Sequence, residues 1–526
     1  MCGLSGEIRF DDAEADLGAV GRMTEAMRDR GPDGSGLWSH GPTALGHRRL
    51  KIIDLSEKAA QPMVDAELGL AAVFNGCLYN YRELRAELRR AGYRFQSGSD
   101  TEVLVKAFHR WGAGCVDRFT GMFAFAVAER GGGRLTLGRD RLGIKPLYLS
   151  EDGRRLRFAS SLPALLAAGG VDTGIDPVAL HHYMTFHSLV PGERTILAGV
   201  RKLPAATVRV IEADGTSTEH RYWEPRHRRP AAPADDGEWR RAVLDALRTA
   251  VRRRMVADVP VGVLLSGGLD SSLIVALLAE QGQREPATFS IGFEPAGGEQ
   301  GDEFAYSDLV ARRFGTDHHR IRVPDSRLAQ GVEQAVHAMS EPMARILAPD
   351  HLLDSDVSGD LVRAHLARPG ADTALDAVLR LETTAMMVDD PVKRLDNMTM
   401  AHGLEARTPF LDHELVELAA ACPAELKLAG GGKGVLKDAA RRMLPAEVVD
   451  RPKGYFPVPA IRHVEGRLLD LVRDALTSRA ARDRGLFRRD YVDRLLADPG
   501  RDRAATGVNT LWQLGLLELW LQAHLG

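Results

Sequence analysis

The chain has 526 residues, 44% of them apolar and 27% charged, with a formal net charge of −3. This ordinary globular composition excludes a collagen-like chain, a disordered chain and a small disulfide scaffold. At roughly 150 residues per domain the length predicts two to four domains. The balance of 69 basic against 72 acidic residues excludes a protein built mainly to grip nucleic acid.

The four cysteines, Cys2, Cys77, Cys115 and Cys422, are scattered and form neither a disulfide framework nor a CxxC site. They point to a reducing, cytoplasmic setting. The amino-terminal residues have no basic n-region and no apolar h-region. No apolar run reaches the roughly 18 residues of a membrane span. Neither a signal peptide nor a membrane partner is expected. Only 10 of the basic residues are lysines, so each one is worth inspecting.

In chain order, 69–76, 121–129 and 134–140 read as strands, from apolar runs bounded by Gly, Asp and Arg. Segments 82–92 and 101–112 read as helices from the 3.6-residue apolar spacing. This mixture predicts an α+β layered domain over 2–218. The stretch 222–237, WEPRHRRPAAPADDGE, is rich in Pro, Ala and charge, and a linker is placed at 219–237.

From 238 the pattern changes. An amphipathic helix (238–256) precedes a continuous apolar strand (259–265), the loop SGGLDSS (266–272) and a helix. A second strand (287–293), a helix (303–314) and a third strand (318–324) follow. Such βαβα alternation predicts an α/β doubly wound parallel sheet. The rest, 375–526, reads as largely helical, so the second domain spans 238–526.

Cys2 follows the initiator Met1 directly. Removal of Met1 leaves a thiol beside its own α-amine, with pKa values of about 8.5 and about 7.7–8.0. Proton exchange between them is nearly thermoneutral, which makes a self-contained nucleophile and base. Taken alone, this is weak grounds for catalysis. RGPDG (30–34), GHRRLKIID (46–54), FNGCLYNYRELR (74–85), SDTEV (99–103) and RDRLGIKPLY (139–148) follow in order. With these the first 150 residues resemble class II glutamine amidotransferases, which release ammonia from glutamine.

The resemblance implies a four-layer N-terminal-nucleophile domain with Cys2 as nucleophile. Arg49 is then a clamp for the glutamine α-carboxylate, and Asp100 a partner for its α-ammonium. The Asn75 amide and the Gly76 N–H form the oxyanion hole. Cys77 stands where the family commonly has Glu, which alters one glutamine contact. Asp33 and Gly34 read first as turn residues.

SGGLDSS sits between a strand and a helix, where glycines and a helix N-terminus suit a phosphate. It lacks the Gly-Lys-Ser/Thr ending of a Walker A loop. It matches the ATP pyrophosphatase pattern. The two domains together resemble glutamine-hydrolysing asparagine synthetases over nearly the full length. That resemblance places Leu265, Ser266, Gly267, Gly268, Asp270 and Ser271 around ATP, Ile291 at the adenine and Lys453 at the pyrophosphate. Asp270 is the Mg²⁺ contact it suggests, an oxygen ligand shared with phosphate.

KRLDNMTMAHGLEARTPFLD (393–412), KGVLK (433–437) and RPKGYFPVP (451–459) match the same family. Glu405 and Arg407 read equally as a substrate pair or a buried structural ion pair. CGLSGEIRF, the FNGC variant and DSDVSGDLVRAHL look like the N-acetylglutaminylglutamine amidotransferase branch, which amidates an acetylated dipeptide to make an osmoprotectant. The expected partners are glutamine, ATP and a small carboxylate acceptor, aspartate or that dipeptide. A homodimer stays open.

One family element is missing. A strand and a Ser-Gly-x-Gly-Ala-Asp-Glu loop normally follow the Glu-Pro loop, but SEPMARILAPDHLLDSD (340–356) passes straight to a later segment. A segment near 343–349 is therefore expected to be absent. An exposed apolar sheet edge and an impaired synthetase half would follow. The alternative function is a glutaminase alone or a regulatory pseudoenzyme.

Overall fold

The computed structural model describes residues 2–186, 189–229, 235–294, 301–339, 353, 355–452, 463–503 and 509–526. Alternating apolar residues build two six-stranded sheets in the first 221 residues. The strands are β1 (Gly3–Arg9), β2 (Gly34–His40), β3 (Thr43–Arg49), β4 (Met63–Asp65), β5 (Leu70–Leu78) and β6 (Gly121–Glu129). They continue with β7 (Leu135–Arg139), β8 (Tyr148–Glu151), β9 (Arg155–Ala159), β10 (Arg201–Lys202), β11 (Thr207–Ile211) and β12 (Ser217–Arg221). One sheet has the order β10-β8-β9-β1-β3-β2 and the other β12-β11-β7-β6-β5-β4.

Period-two alternation sends Leu4 and Ile8 of β1 and Ala71 and Val73 of β5 into one core between the sheets. The opposite residues of β5, Leu70, Ala72 and Phe74, face helices α2 (Tyr81–Arg90) and α3 (Asp100–Trp111). Helices α1 (Leu17–Glu25), α4 (Leu162–Ala167) and α5 (Pro177–Thr185) pack outside the first sheet. The result is the four-layer helix–sheet–sheet–helix arrangement.

The predicted linker is shorter than 219–237. Strand β12 takes its first residues, and helix α6 (Asp236–Arg254) takes its last. A capping box between Asp235 and Glu238 starts α6. Between them, the Tyr222 hydroxyl donates to the Arg139 carbonyl at 2.9 Å.

The second domain holds a parallel sheet of three strands among the described residues, β13 (Val263–Leu264), β14 (Ala287–Phe293) and β15 (Asp317–Val323), in that order. Helices α7 (Leu269–Glu280) and α8 (Phe304–Phe314) cover one face, over the buried Thr288, Ser290 and Gly292. Among the described residues, the other face of the sheet is exposed. Leu264 is 63% exposed, Ile321 45% and Ile291 39%. The strand expected at 259–265 spans only two residues, Val263–Leu264. Residues 340–352 lie outside the described residues, and with them the expected gap near 343–349.

The C-terminal part is helical, ending in Thr510–Leu525. This last helix is apolar nearly all round, so it is buried. Trp520 and Leu517 join the same apolar cluster as Val20 of α1, Leu165 of α4 and Tyr183 of α5. The end of the chain therefore packs into the outer layer of the first domain.

Polar contacts also lock the domains. The Asp54 N–H donates to Asp258 at 2.8 Å, and the Asp258 N–H to the Ile52 carbonyl at 2.9 Å. Arg30 and Lys145 hold Asp396 from the first domain at 2.9 and 3.1 Å. Among the described residues, no helix is long and apolar enough to cross a membrane.

Candidate active site

Cys2 lies immediately before β1, buried against β5. Its backbone N–H donates to the Asn75 Oδ1 at 3.2 Å, and its Sγ lies 3.9 Å from the Leu50 carbonyl. The nitrogen that becomes an amine once Met1 is removed is thus held by Asn75. Burial pushes the Cys2 thiol pKa up, so the resting thiol is neutral.

Asn75 is fully buried on β5, and its Nδ2 donates to the Ser160 Oγ at 3.3 Å. Ser160 also accepts the Leu4 N–H at 3.1 Å. Ser160 fixes the amide orientation and takes one of the two Nδ2 hydrogens. Gly76 has φ of 156°, and a Cβ there would collide with the Met122 carbonyl on β6. Only glycine fits this position.

Arg49 ends β3. Its two η nitrogens hold the Ser56 carbonyl at 2.8 Å and the Asp54 carbonyl at 2.5 Å. The bidentate carboxylate clamp expected from the sequence is therefore not preformed. The same guanidinium orders the 50–56 loop and offers its remaining N–H groups to the cavity.

Asp100 opens α3, where the helix dipole favours an anion. It accepts the Leu78 N–H at 3.0 Å. Burial, assisted by the charge of Glu405, pushes its pKa up to about 6. Cys77 is buried, and burial drives its thiol pKa well above normal.

One cavity gathers Cys2, Arg49, Gly76, Cys77 and Asp100, and Glu405 closes it from the second domain. Arg407 Nε donates to Glu405 Oε1 at 2.6 Å, so the pair is a buried ion pair that also faces a site. Burial disfavours the Glu405 charge, but Arg407 helps to hold its carboxyl below the usual range.

The phosphate-type loop has the local geometry expected. Gly267 has φ of 72°, and a Cβ there would sit 2.5 Å from the Ser307 nitrogen. Gly268 is the N-cap of α7 and has no side chain to cover the helix end. Ser271 Oγ accepts the Ser266 N–H at 3.2 Å and lies 3.1 Å from Ser266 Oγ. Such a turn at a helix N-terminus fits phosphate oxygens.

Leu265, Asp270 and Ile291 stand in different settings around this loop. The Leu265 side chain is 1% exposed and belongs to the core. Asp270 is paired with Lys433, which occupies the carboxylate expected to contact Mg²⁺. Ile291 lies on the open sheet face, and Lys453 falls outside the described residues.

Sequence reasoning assigned no role to Ser160, Lys145, Asp396 or Lys433. Lys145, Asp396 and Lys433 lie inside motifs read as matches, and Lys145 and Lys433 are among the 10 lysines, which was the signal available. Lys433 has φ of 59° just before the helix Gly434–Ala440, a conformation that concentrates at functional positions. Among the described residues no group of three or more His, Cys, Asp or Glu side chains gathers for a metal.

A family model described as "Glutamine amidotransferase domain" matches residues 1–223. A second, "Asparagine synthase", matches 242–374 and 352–522. Among curated relatives, Bacillus subtilis "Asparagine synthetase [glutamine-hydrolyzing] 3" is 28% identical over 87% of each chain. B. subtilis "Asparagine synthetase [glutamine-hydrolyzing] 1" is 27% identical over 95% of this chain and 93% of its own. Escherichia coli "Asparagine synthetase B [glutamine-hydrolyzing]" is 29% identical over 87% of this chain and 82% of its own. The chain belongs to the asparagine synthase family, with an amino-terminal glutamine amidotransferase domain.

Proposed function

We propose that this chain is a glutamine-dependent carbon–nitrogen ligase. Glutamine is hydrolysed to glutamate and ammonia at Cys2. ATP adenylates an acceptor carboxylate at 266–272 and releases pyrophosphate. Ammonia then displaces AMP to leave an amide. The observation that carries this reading is the single cavity of Cys2, Arg49, Gly76 and Asp100, closed by Glu405 of the synthetase domain. ATP would lie on Ser266, Gly267, Gly268 and Ser271. Mg²⁺ brought with it would meet Asp270, a ligand of the right type only once Lys433 lets it go. The acceptor is the acetylated dipeptide N-acetylglutaminylglutamine or aspartate, and the amino-terminal sequence details favour the dipeptide.

A second reading, glutaminase without synthesis, has its own support. The alignment to the first B. subtilis relative has 539 positions, more than the whole 526-residue chain, although only 87% of the chain takes part. That relative therefore holds residues which this chain lacks. The Asparagine synthase match also breaks in two near 352–374. Both observations agree with a missing segment near 343–349. The test is pyrophosphate release with ATP, Mg²⁺, glutamine and each acceptor in turn. Pyrophosphate in step with one amide product supports the ligase and identifies the acceptor. Glutamate production with no pyrophosphate for either acceptor leaves the glutaminase reading.

Asp100 sets a pH dependence. Its carboxyl is raised to about 6, so it is protonated below that pH and ionised above. Only the ionised form attracts an α-ammonium, so glutamine affinity should fall as pH drops from 7 to 5. The loss approaches tenfold per pH unit below the pKa. Calorimetric titration of the Cys2→Ala protein checks this. Asp100→Asn should bind weakly at every pH, with the step near 6 gone.

A further inference from the structure

Two carboxylates, not one, face the cavity that holds Cys2. Asp100 comes from α3 of the first domain, and Glu405 comes from the second. Both are shielded from water, and the Glu405 side chain is only 4% exposed. Like charges sharing a buried cavity repel, and the raised Asp100 pKa registers that repulsion beside the cost of burial.

Arg407 does not cancel the arrangement. It spends one nitrogen on the backbone carbonyls of Arg254 and Val256, at 2.6 and 2.8 Å, and its Nε on Glu405 Oε1. A carboxylate offers about four lone-pair sites, more than the Arg407 Nε takes. The third nitrogen of Arg407 reaches Cys77 Sγ at 3.9 Å, which places the thiol beside the same ion pair. Across the cavity, Arg49 supplies the positive charge. One guanidinium opposite two carboxylates complements an α-amino acid zwitterion, carboxylate toward Arg49 and ammonium between the acids.

We propose that Glu405 binds the α-ammonium of glutamine together with Asp100, so that the synthetase domain completes the glutaminase site. The inference rests on the glutaminase reading and deepens it. It makes glutamine recognition depend on domain docking, because Glu405 reaches the cavity only while the second domain is seated. Arg407 is the positioning residue that aims Glu405.

The test is calorimetric titration of full-length protein carrying Cys2→Ala, so that ligand is not consumed. Two ligands are compared: glutamine, and 4-carbamoylbutanoate, which is glutamine without its ammonium. Adding Glu405→Gln should weaken glutamine at least tenfold and leave 4-carbamoylbutanoate unchanged within twofold. Adding Cys77→Glu to that protein puts a carboxylate back beside Arg407, and glutamine affinity should recover to within threefold of the start. If Glu405→Gln does not fold, Glu405→Asp replaces it, with a smaller loss of about threefold, again confined to glutamine. Equal loss of both ligands, or undiminished glutamine binding, overturns the inference. Failure of the Cys2→Ala protein itself to bind glutamine overturns the glutaminase reading, and this inference falls with it.

Discussion

Cys2→Ala is expected to lower kcat for glutamine hydrolysis by roughly 10⁴- to 10⁶-fold, the loss typical when a covalent nucleophile is removed. The size follows from the absence of a substitute. Cys77 is the other thiol on the cavity, but burial drives its pKa well above normal, and it lacks the adjacent α-amine that Cys2 gains when Met1 is removed. A thiol without a base is a poor nucleophile at neutral pH. Glutamine binding should survive, because Arg49 and Asp100 are untouched. With a live synthetase half, free ammonium should still support ATP-dependent amidation by the variant. Glutamate release within tenfold of wild type would show that Cys2 is not the nucleophile.

Cys2 acts in company, and the same assay reads its company. The Asn75 amide is held by Cys2 N–H on one side and Ser160 Oγ on the other. Removing one oxyanion donor typically costs 10²- to 10³-fold. Asn75→Ala should therefore fall between wild type and Cys2→Ala. That order separates the group that attacks from the group that stabilises charge.

Much of the first domain was legible in its sequence, because its strands obey period two and its site residues sit in local motifs. β5, β6 and β7 begin within one residue of their predicted starts. What could not be read was reach. Ser160 lies 85 residues from Asn75, and nothing local to a serine announces a bond to a distant amide. Glu405 is the sharper case. Its pairing with Arg407 two residues away is a local fact, but its position beside Cys2 depends on how two domains dock.

In the second domain the fold class was legible, and burial was the harder thing to read. Apolar strands predict burial on both faces, which is what helices on both sides would impose. Among the described residues Leu264, Ile291 and Ile321 stand on an exposed face, so apolar composition alone did not report their burial. The alternation was present in the residues all the same. Thr288, Ser290 and Gly292 are the small or polar positions, and they are the covered ones, packed where α8 approaches closely. Polarity ran opposite to burial because helix proximity demanded small side chains.

Asp396→Ala should destabilise the docked protein by about 3–5 kcal/mol, the cost of leaving buried charge without its partner. Asp396 stands between Arg30 and Lys145, with side chains 2, 8 and 1% exposed. Burial works against its charge, but the two cations outweigh that and hold its pKa below the ordinary carboxylate value. The sign of the linkage follows. This contribution is in place above the unfolded pKa of about 3.8 and is lost as pH falls through the lower folded value. Urea unfolding at pH 7 should show a lower midpoint for Asp396→Ala, and the deficit against wild type should shrink toward pH 3. Asp396→Asn, which still accepts hydrogen bonds, should lose less. Replacing Arg30, Lys145 and Asp396 together by Met, Met and Leu should cost less than Asp396→Ala alone, since no charge is then stranded. An Asp396→Ala midpoint equal to wild type would mean that the ion cluster does not hold the domains. Because Glu405 reaches the glutaminase cavity only from the docked second domain, the same variant should also weaken glutamine binding, and 4-carbamoylbutanoate should be affected less.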